Sequence, residues 1–201
     1  MIRKTFFILT FAFVFAGCGV VKEITNLSRL QFRLANIESI TLGGLTFTDK
    51  TSIKDLSSLD VLKLSTSFIR GEMLLKFVVN VEVKNPNAEN TASSKYDFKI
   101  SSFPWRLLLN GREAITGNIL SPINIPGDKE ISYIPVSIKF NLIKFIRDKE
   151  YESIINLVFN LTRQKNTLTQ LELYAKPVID TPLGNIDYPE ELKIISLNYT
   201  N

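Results

Sequence analysis

Few residues of this 201-residue chain have the type and spacing that enzyme chemistry needs. The chain contains no histidine, which removes the commonest general base, the Ser-His and Cys-His nucleophile pairs and the usual zinc ligands. Paired carboxylates occur at Glu190–Glu191 and at Asp148 with Glu150, but they fall at a predicted turn and a helix break, where solvated charge is usual. Gly43–Gly44 lacks the Lys-Ser/Thr that follows a phosphate-binding loop. We therefore predict a non-enzymatic protein with no catalytic residue, metal site or cofactor.

The single cysteine, Cys18, has the clearest chemical setting in the chain. Residues 1–4 (MIRK) are basic, and residues 5–15 (TFFILTFAFVF) form an uncharged apolar run that ends just before Ala16–Gly17. This run is too short to cross a bilayer as a helix, which takes about twenty apolar residues. It has the length of the apolar region of a secretory signal peptide. The sequence therefore predicts a signal peptide with a thiol directly after two small residues.

Ala16–Gly17–Cys18 resembles the lipobox of bacterial lipoproteins, with Phe15 at the position where Leu is usual. In that family the peptide is cleaved before the cysteine, the thiol receives diacylglycerol, and the new amine is acylated. The resemblance implies that residues 1–17 are a lipoprotein signal peptide, cleaved between Gly17 and Cys18, and that Cys18 carries the lipid. Three acyl chains would hold the protein firmly, since a single chain binds a membrane only marginally. The alternative is a plain signal peptide and a buried thiol.

The residue after Cys18 indicates the membrane to which a lipoprotein would be sorted. It is Gly19 and not Asp, so the resemblance to Gram-negative lipoproteins implies sorting to the outer membrane of the cell envelope, and we predict that the protein faces the periplasm. Loss of Arg3 and Lys4 lowers the formal net charge from +4 to +2, and the remaining basic residues are scattered among acidic ones. No basic block typical of nucleic-acid binding is present. The predicted partners are the membrane, through the lipid anchor, and envelope proteins or lipids, but no nucleic acid.

We predict that residues 18–33 form the lipidated N-terminus and a short tether, and that residues 34–201 form one domain. Apolar residues recur at helical spacing in residues 20–27, so this segment either lies near the membrane or packs on the domain. Because the only cysteine is assigned to the anchor, no disulfide can form. The domain must then be held by its hydrophobic core, which its length allows.

The domain is organised around a strand predicted over residues 72–84, followed by Asn85–Pro86–Asn87. Alternating apolar and polar residues are typical of a half-buried antiparallel strand. The apolar set is Leu75, Phe77, Val79, Val81 and Val83. Pro86 cannot donate a ladder hydrogen bond and drives Asn85 into extended geometry, so we expect the strand to end there.

Similar alternation predicts the other strands. They are expected at residues 31–48 with a bend at Gly43–Gly44, and at 96–101, 105–109, 112–120, 134–140, 168–179 and 191–199. Asn110–Gly111 favours a type I′ hairpin turn. A capping-box spacing predicts a helix over residues 52–68, and apolar spacings of three and four predict one broken helix or two short ones over 141–162. The sum is a mainly β antiparallel sandwich of about seven strands with one or two added helices.

The order of these elements resembles the group 2 late-embryogenesis-abundant (LEA type 2) family, also called the WHy domain, and in particular its lipid-anchored bacterial members. The matching elements are the Asn85–Pro86–Asn87 turn, the strand with Tyr96 and Phe98, the Asn110–Gly111 hairpin and the Ile125–Pro126–Gly127 turn. The match is best over residues 77–140. The resemblance implies an immunoglobulin-like or fibronectin III-like sandwich, a role in stress protection, and no catalytic residues.

Two functions stay open at this point. In the first, the protein is a stress-protective or structural lipoprotein that binds envelope proteins or the membrane surface. In the second, it is a lipid-handling module with an apolar pocket between helix and sheet, lined by the apolar residues of 151–159. Trp105 alternates with Leu107 and Leu109, so we expect it in the core and not as an exposed binding ring.

Overall fold

The computed structural model describes residues 30–50, 52–86, 88, 97–145, 151–163, 171–181 and 184–196. The strands in these ranges are β1 (Gln31–Leu42), β2 (Leu45–Thr46), β3 (Leu74–Lys84), β4 (Phe98–Ser102), β5 (Trp105–Leu109), β6 (Arg112–Gly117), β7 (Ile123–Ile125), β8 (Ile131–Asn141), β9 (Leu171–Ala175), β10 (Val178–Thr181), β11 (Gly184–Asp187) and β12 (Leu192–Ser196). The α-helices are α1 (Ser58–Ile69) and α2 (Tyr151–Arg163), and 3-10 turns cover Ile53–Asp55 and Leu142–Lys144. The predicted mainly β class is confirmed.

The first layer of the sandwich is a four-stranded antiparallel sheet in the order β2-β1-β3-β8. Its central strand, β3, is the one around which the sequence is organised, and it pairs along its whole length with β8, from Leu74 opposite Asn141 to Lys84 opposite Ile131. The alternating apolar side chains of β3 are buried, as predicted. Each layer therefore presents one apolar face to the other.

The second layer contains two four-stranded groups, β11-β10-β4-β7 and β12-β9-β5-β6. They continue into each other, because β4 leads into β5 through Pro104 and β9 leads into β10 through Pro177. The N–H of Lys176 donates to the carbonyl of Pro104 at 2.9 Å across this junction. Proline has no N–H for the ladder, so two facing prolines bend one long sheet without separating its halves. The two groups align pair by pair, β11 with β12, β10 with β9, β4 with β5 and β7 with β6, so counting each of these four pairs once gives seven strands plus the short β2.

Three predicted strands are shorter or more broken than the sequence indicated. The strand expected over residues 31–48 ends at Leu42, because Gly43 (φ 55°) and Gly44 (φ 84°) form a tight turn into β2 and not a bend within one strand. The strand expected over 168–179 is interrupted before β10 by Pro177. The strand expected over 112–120 ends at Gly117, and the short strands β7 and β11 were not predicted.

The first helix also starts later than predicted. Asp55 caps Ser52 as expected, since its Oδ2 accepts from the N–H of Ser52 at 2.9 Å, but only a 3-10 turn follows. A second capping box at Ser57 and Asp60 starts α1. Within residues 141–162 the described helical pieces are the 3-10 turn Leu142–Lys144 and α2, and residues 146–150, which would distinguish one broken helix from two short ones, lie outside the described part of the chain. Among the described residues, no helix is long and apolar enough to cross a membrane.

The N-terminal edge of the domain lies inside the range predicted as tether. Leu30 is 1% exposed, and its carbonyl accepts a hydrogen bond from the Tyr188 hydroxyl at 3.0 Å. β1 starts at the next residue and pairs with the end of β3. The fold therefore holds the chain from Leu30 onward.

A single apolar core fills the space between the layers. Helix α2 packs on β1, and the rings of Phe47 and Phe159 meet edge to face with centroids 5.5 Å apart. Trp105 is 6% exposed, which confirms its predicted place in the core. Gly117, opposite Trp105 in the β5–β6 pair, leaves room for the indole.

Candidate functional site

The Asn85–Pro86 turn is a structural corner. Asn85 is 1% exposed, its N–H donates to the carbonyl of Glu130 at 2.7 Å, and its Nδ2 donates to the carbonyl of Gly127 at 3.2 Å. The N–H of Gly127 in turn donates to Oδ1 of Asp97 at 2.9 Å. One hydrogen-bond network therefore fastens the end of β3 to the turn before β8 and to the start of β4. Asn87, the last residue of the predicted motif, lies outside the described residues.

Asn110 and Gly111 form the turn between β5 and β6. Their φ values are 52° and 71°, and Leu109 pairs with Arg112 across the turn. Positive φ at both central positions is what a type I′ turn requires, so this prediction is confirmed. Asn tolerates this conformation better than most residues, and Gly adopts it without strain. Both residues shape the hairpin.

The predicted cleavage and lipid-attachment site, Gly17 and Cys18, lies outside the described part of the chain. So do the carboxylates Asp148 and Glu150, which the sequence analysis interpreted as solvated charges. The lipid anchor therefore stays a prediction from the sequence.

The carboxylate of Glu191 is held by Arg106. The two side chains form two parallel hydrogen bonds, both 2.7 Å long, and the guanidinium lies 4.6 Å from the centre of the Tyr174 ring. The hydrogen bonds lower the pKa of Glu191 and raise the pKa of Arg106. A carboxylate fixed in its ionised form by arginine is a poor proton donor or acceptor near neutral pH. The Arg106–Glu191 pair links β5 to the start of β12, and the neighbouring Lys193–Glu172 pair links β12 to β9.

Two pairs of polar side chains lie on the outer face of the first layer. Glu82 is 7% exposed and pairs with Arg33 at 2.7 Å, while Nδ2 of Asn80 donates to Oδ1 of Asn36 at 2.9 Å. Each pair joins β1 to β3 at directly opposite positions. Among the described residues, no group of three or more Cys, Asp or Glu side chains could hold a metal ion. The side chains of Arg33 and Glu82, and those of Asn36 and Asn80, are bonded to each other and link β1 to β3.

A groove of about 350 Å³ lies at the edge of the sandwich, between β8 and the loop from β6 to β7. It is lined by Asn118, Ile119, Leu120, Ser121, Ile123, Tyr133, Pro135 and Ser137. Oδ1 of Asn118 already accepts from the N–H groups of Phe103 at 2.6 Å and Ile119 at 2.8 Å. The groove therefore offers apolar surface and hydroxyl groups, but no carboxylate or amine.

The apolar side chains of α2 that the structure describes are buried against the rest of the domain. They are Ile154, Ile155, Leu157, Val158, Phe159 and Leu161, each at most 4% exposed. Of the two packing arrangements that the sequence left open, these residues support the tight one, in which the helix closes the sandwich.

Helix α1 presents an apolar surface that the sequence reasoning missed. Leu59 is 69% exposed, Leu62 is 63% exposed and Ile69 is 84% exposed, whereas Leu64 is fully buried. We call the three exposed residues the apolar stripe. The packed side of α1 lies where Gly43 approaches Ser67, since a Cβ added at Gly43 would be 3.1 Å from Ser67 Oγ. The three-residue leucine spacing alone could not indicate this side.

The sequence matches no known family model and no curated protein. Several solved structures show a distant similarity to this chain. A protein from Archaeoglobus fulgidus is 17% identical with a TM-score of 0.37, over 60% of this chain and 80% of that one. The solution structure of a LEA protein is 13% identical with a TM-score of 0.39, over 97% and 88%. An X-ray structure of a structural-genomics target is 9% identical with a TM-score of 0.37, over 83% of this chain and 84% of that one. Similarity at the level of these three structures does not establish a shared family.

Proposed function

We propose that this chain is a non-enzymatic lipoprotein with a LEA type 2-like sandwich, anchored by acylated Cys18 in the outer membrane and facing the periplasm. It protects or supports the envelope under stress by contact with proteins or the membrane surface. One observation supports contact over catalysis: the polar groups of the candidate sites bond to each other, while large apolar side chains stay exposed. Exposed apolar patches on a folded domain mark interaction surfaces.

Catalysis by acid and base would need a titratable group free to exchange a proton near the operating pH, inside a concave site. Glu191 and Glu82 are each paired with an arginine, and the polar side chains that line the groove beside β8 are hydroxyl and amide groups. This arrangement supports a protein that works by binding.

Metabolic labelling with palmitate, followed by membrane fractionation, tests the anchor. We expect labelled wild-type protein in the outer-membrane fraction, and an unlabelled Cys18→Ala variant that is not processed as a lipoprotein. Unlabelled wild-type protein in the soluble fraction would remove the anchor from the proposal.

A vesicle assay tests the protective role. Vesicles that carry the full-length protein are dried and rehydrated, and the leakage of a trapped dye is compared with that of vesicles carrying an unrelated lipoprotein. We expect less leakage with this protein. Equal leakage from both sets of vesicles would contradict a protective role.

Lipid handling is the second candidate function, and the groove beside β8 is the observation that favours it. Its volume of about 350 Å³ lies within the range of small-ligand pockets. It differs in place from the helix–sheet pocket that the sequence suggested. Mass spectrometry of protein extracted gently from membranes separates the two functions, because stoichiometric bound lipid supports lipid handling and its absence supports the first proposal.

A further inference from the structure

The apolar stripe of α1 consists of three large apolar side chains that are each more than 60% exposed. Leu59, Leu62 and Ile69 lie on one side of the 12-residue helix, opposite the buried Leu64. Thr66 lies between them, and its hydroxyl donates to the carbonyl of Leu62 at 2.8 Å. The hydroxyl is therefore already bonded within the helix, which lowers the cost of moving this face out of water.

Over α1 and its C-terminal cap, residues 58–70, the basic residues Lys63 and Arg70 outnumber the single acidic residue, Asp60. The acidic groups at the start of the helix are occupied, since Asp55 caps Ser52, and Asp60 accepts from the N–H of Ser57 at 3.0 Å and pairs with Lys50 at 3.2 Å. Those contacts lower the pKa of Asp60 and keep it ionised beside its partners.

Two cations remain beside the stripe. Lys63 and Arg70 are exposed, lie four and eleven residues after Leu59, and so share its side of the helix. Glu72 follows the helix in the segment that leads to β3. Leucines on one side with Lys and Arg along the border are typical of helices that lie in a membrane interface. Protein–protein interfaces, in contrast, are depleted in lysine and enriched in aromatic residues.

We propose that α1 lies on an anionic membrane surface, with the apolar stripe inserted among the headgroups and Lys63 and Arg70 bound to lipid phosphates. The inference rests on the proposed envelope location. It adds a second point of membrane contact that is independent of Cys18.

The fold allows both contacts at once. α1 lies at the end of the first layer where β3 begins, whereas Leu30 lies beside the end of β3, about 33 Å away at about 3.3 Å per residue. The twelve residues from Cys18 to Leu30 span at most about 40 Å. A domain with its strands parallel to the membrane can therefore place both the anchor and α1 at the bilayer.

Tryptophan fluorescence of the full-length protein in vesicles tests the contact. The chain has one tryptophan, the buried Trp105, so a second one introduced by Leu62→Trp reports on the stripe. The matched control is Thr116→Trp, at an exposed residue of β6, an edge strand of the second layer that lies outside the groove beside β8. In vesicles with anionic lipid, we expect brominated lipid to quench L62W emission and to leave T116W emission unchanged.

Charge removal tests the lipid class. We expect Lys63→Gln or Arg70→Gln to lower the ratio of membrane-bound to free α1 about fivefold, and the control Lys139→Gln on β8 to leave it unchanged. Replacing anionic with zwitterionic lipid should have the same effect as removing the charges.

Two results would overturn the proposal. The first is L62W emission that aqueous acrylamide quenches and brominated lipid does not. The second is a blue shift that grows with the protein-to-lipid ratio without quenching by brominated lipid, because it would indicate contact between copies of the chain. Neither result depends on lipid attachment at Cys18, so failure here is distinct from failure of palmitate labelling.

Discussion

Replacement of Asn85 by alanine should destabilise the domain well beyond an ordinary surface substitution. The amide of Asn85 is buried and donates to the carbonyl of Gly127, which is itself buried. In Asn85→Ala that carbonyl loses its donor, and water cannot easily replace it. An unpaired buried polar group costs about 1–3 kcal/mol. This loss is a large part of the roughly 5–15 kcal/mol that stabilises a typical domain.

Urea unfolding followed by far-ultraviolet circular dichroism measures this effect. The matched control is Asn36→Ala, which also removes a side-chain hydrogen bond, to Asn80, but on the outer face of the first layer. Water can replace that bond, so we expect a loss of no more than about 1 kcal/mol in the control. Equal losses in the two variants would refute the idea that Asn85 fastens the corner between β3, β4 and β8.

Three further variants test other parts of the structure. Gly117→Ala would place a Cβ against Cζ2 of Trp105 and 2.7 Å from its Cε2. We therefore expect the free energy of unfolding in urea to fall by about 1–3 kcal/mol and the tryptophan emission to shift to the red. An unchanged emission spectrum would contradict this packing. Arg106 holds the pKa of Glu191 below its ordinary value of 4.5, so this pair stabilises the fold above that pH and its contribution is lost as the pH falls through the folded-state pKa. In Glu191→Gln the urea midpoint should therefore fall less between about pH 5 and about pH 3 than in the wild type, and identical slopes would refute this. Ser57→Ala removes the N-cap of α1 and should cost about 1 kcal/mol, with loss of helical signal as the check.

Local patterns in the sequence were sufficient to predict the parts of the fold that short-range physics determines. The alternation in β3, the strand stop at Pro86 and the hairpin at Asn110–Gly111 each depend on the backbone limits of a few adjacent residues. The core position of Trp105 followed from the same alternation.

Features that depend on distant contacts were not predictable in this way. Pro104 divides β4 from β5, and Pro177 divides β9 from β10. The two breaks lie opposite each other, which is apparent only once these strands are known to pair. The partners of Asn85 are 42 and 45 residues away in sequence, so its motif did not indicate what it binds. The buried side of α1 is set by the approach of Gly43 to Ser67, and therefore the exposure of Leu59 and Leu62 was missed.

Intact-mass spectrometry of the protein purified from membranes tests the central claim most directly. The account predicts a chain that begins at Cys18, with diacylglycerol on the thiol and a third acyl chain on the amine. A free Cys18 thiol, in a chain recovered from the soluble fraction, would contradict the claim that this sandwich works as a lipid-anchored envelope protein.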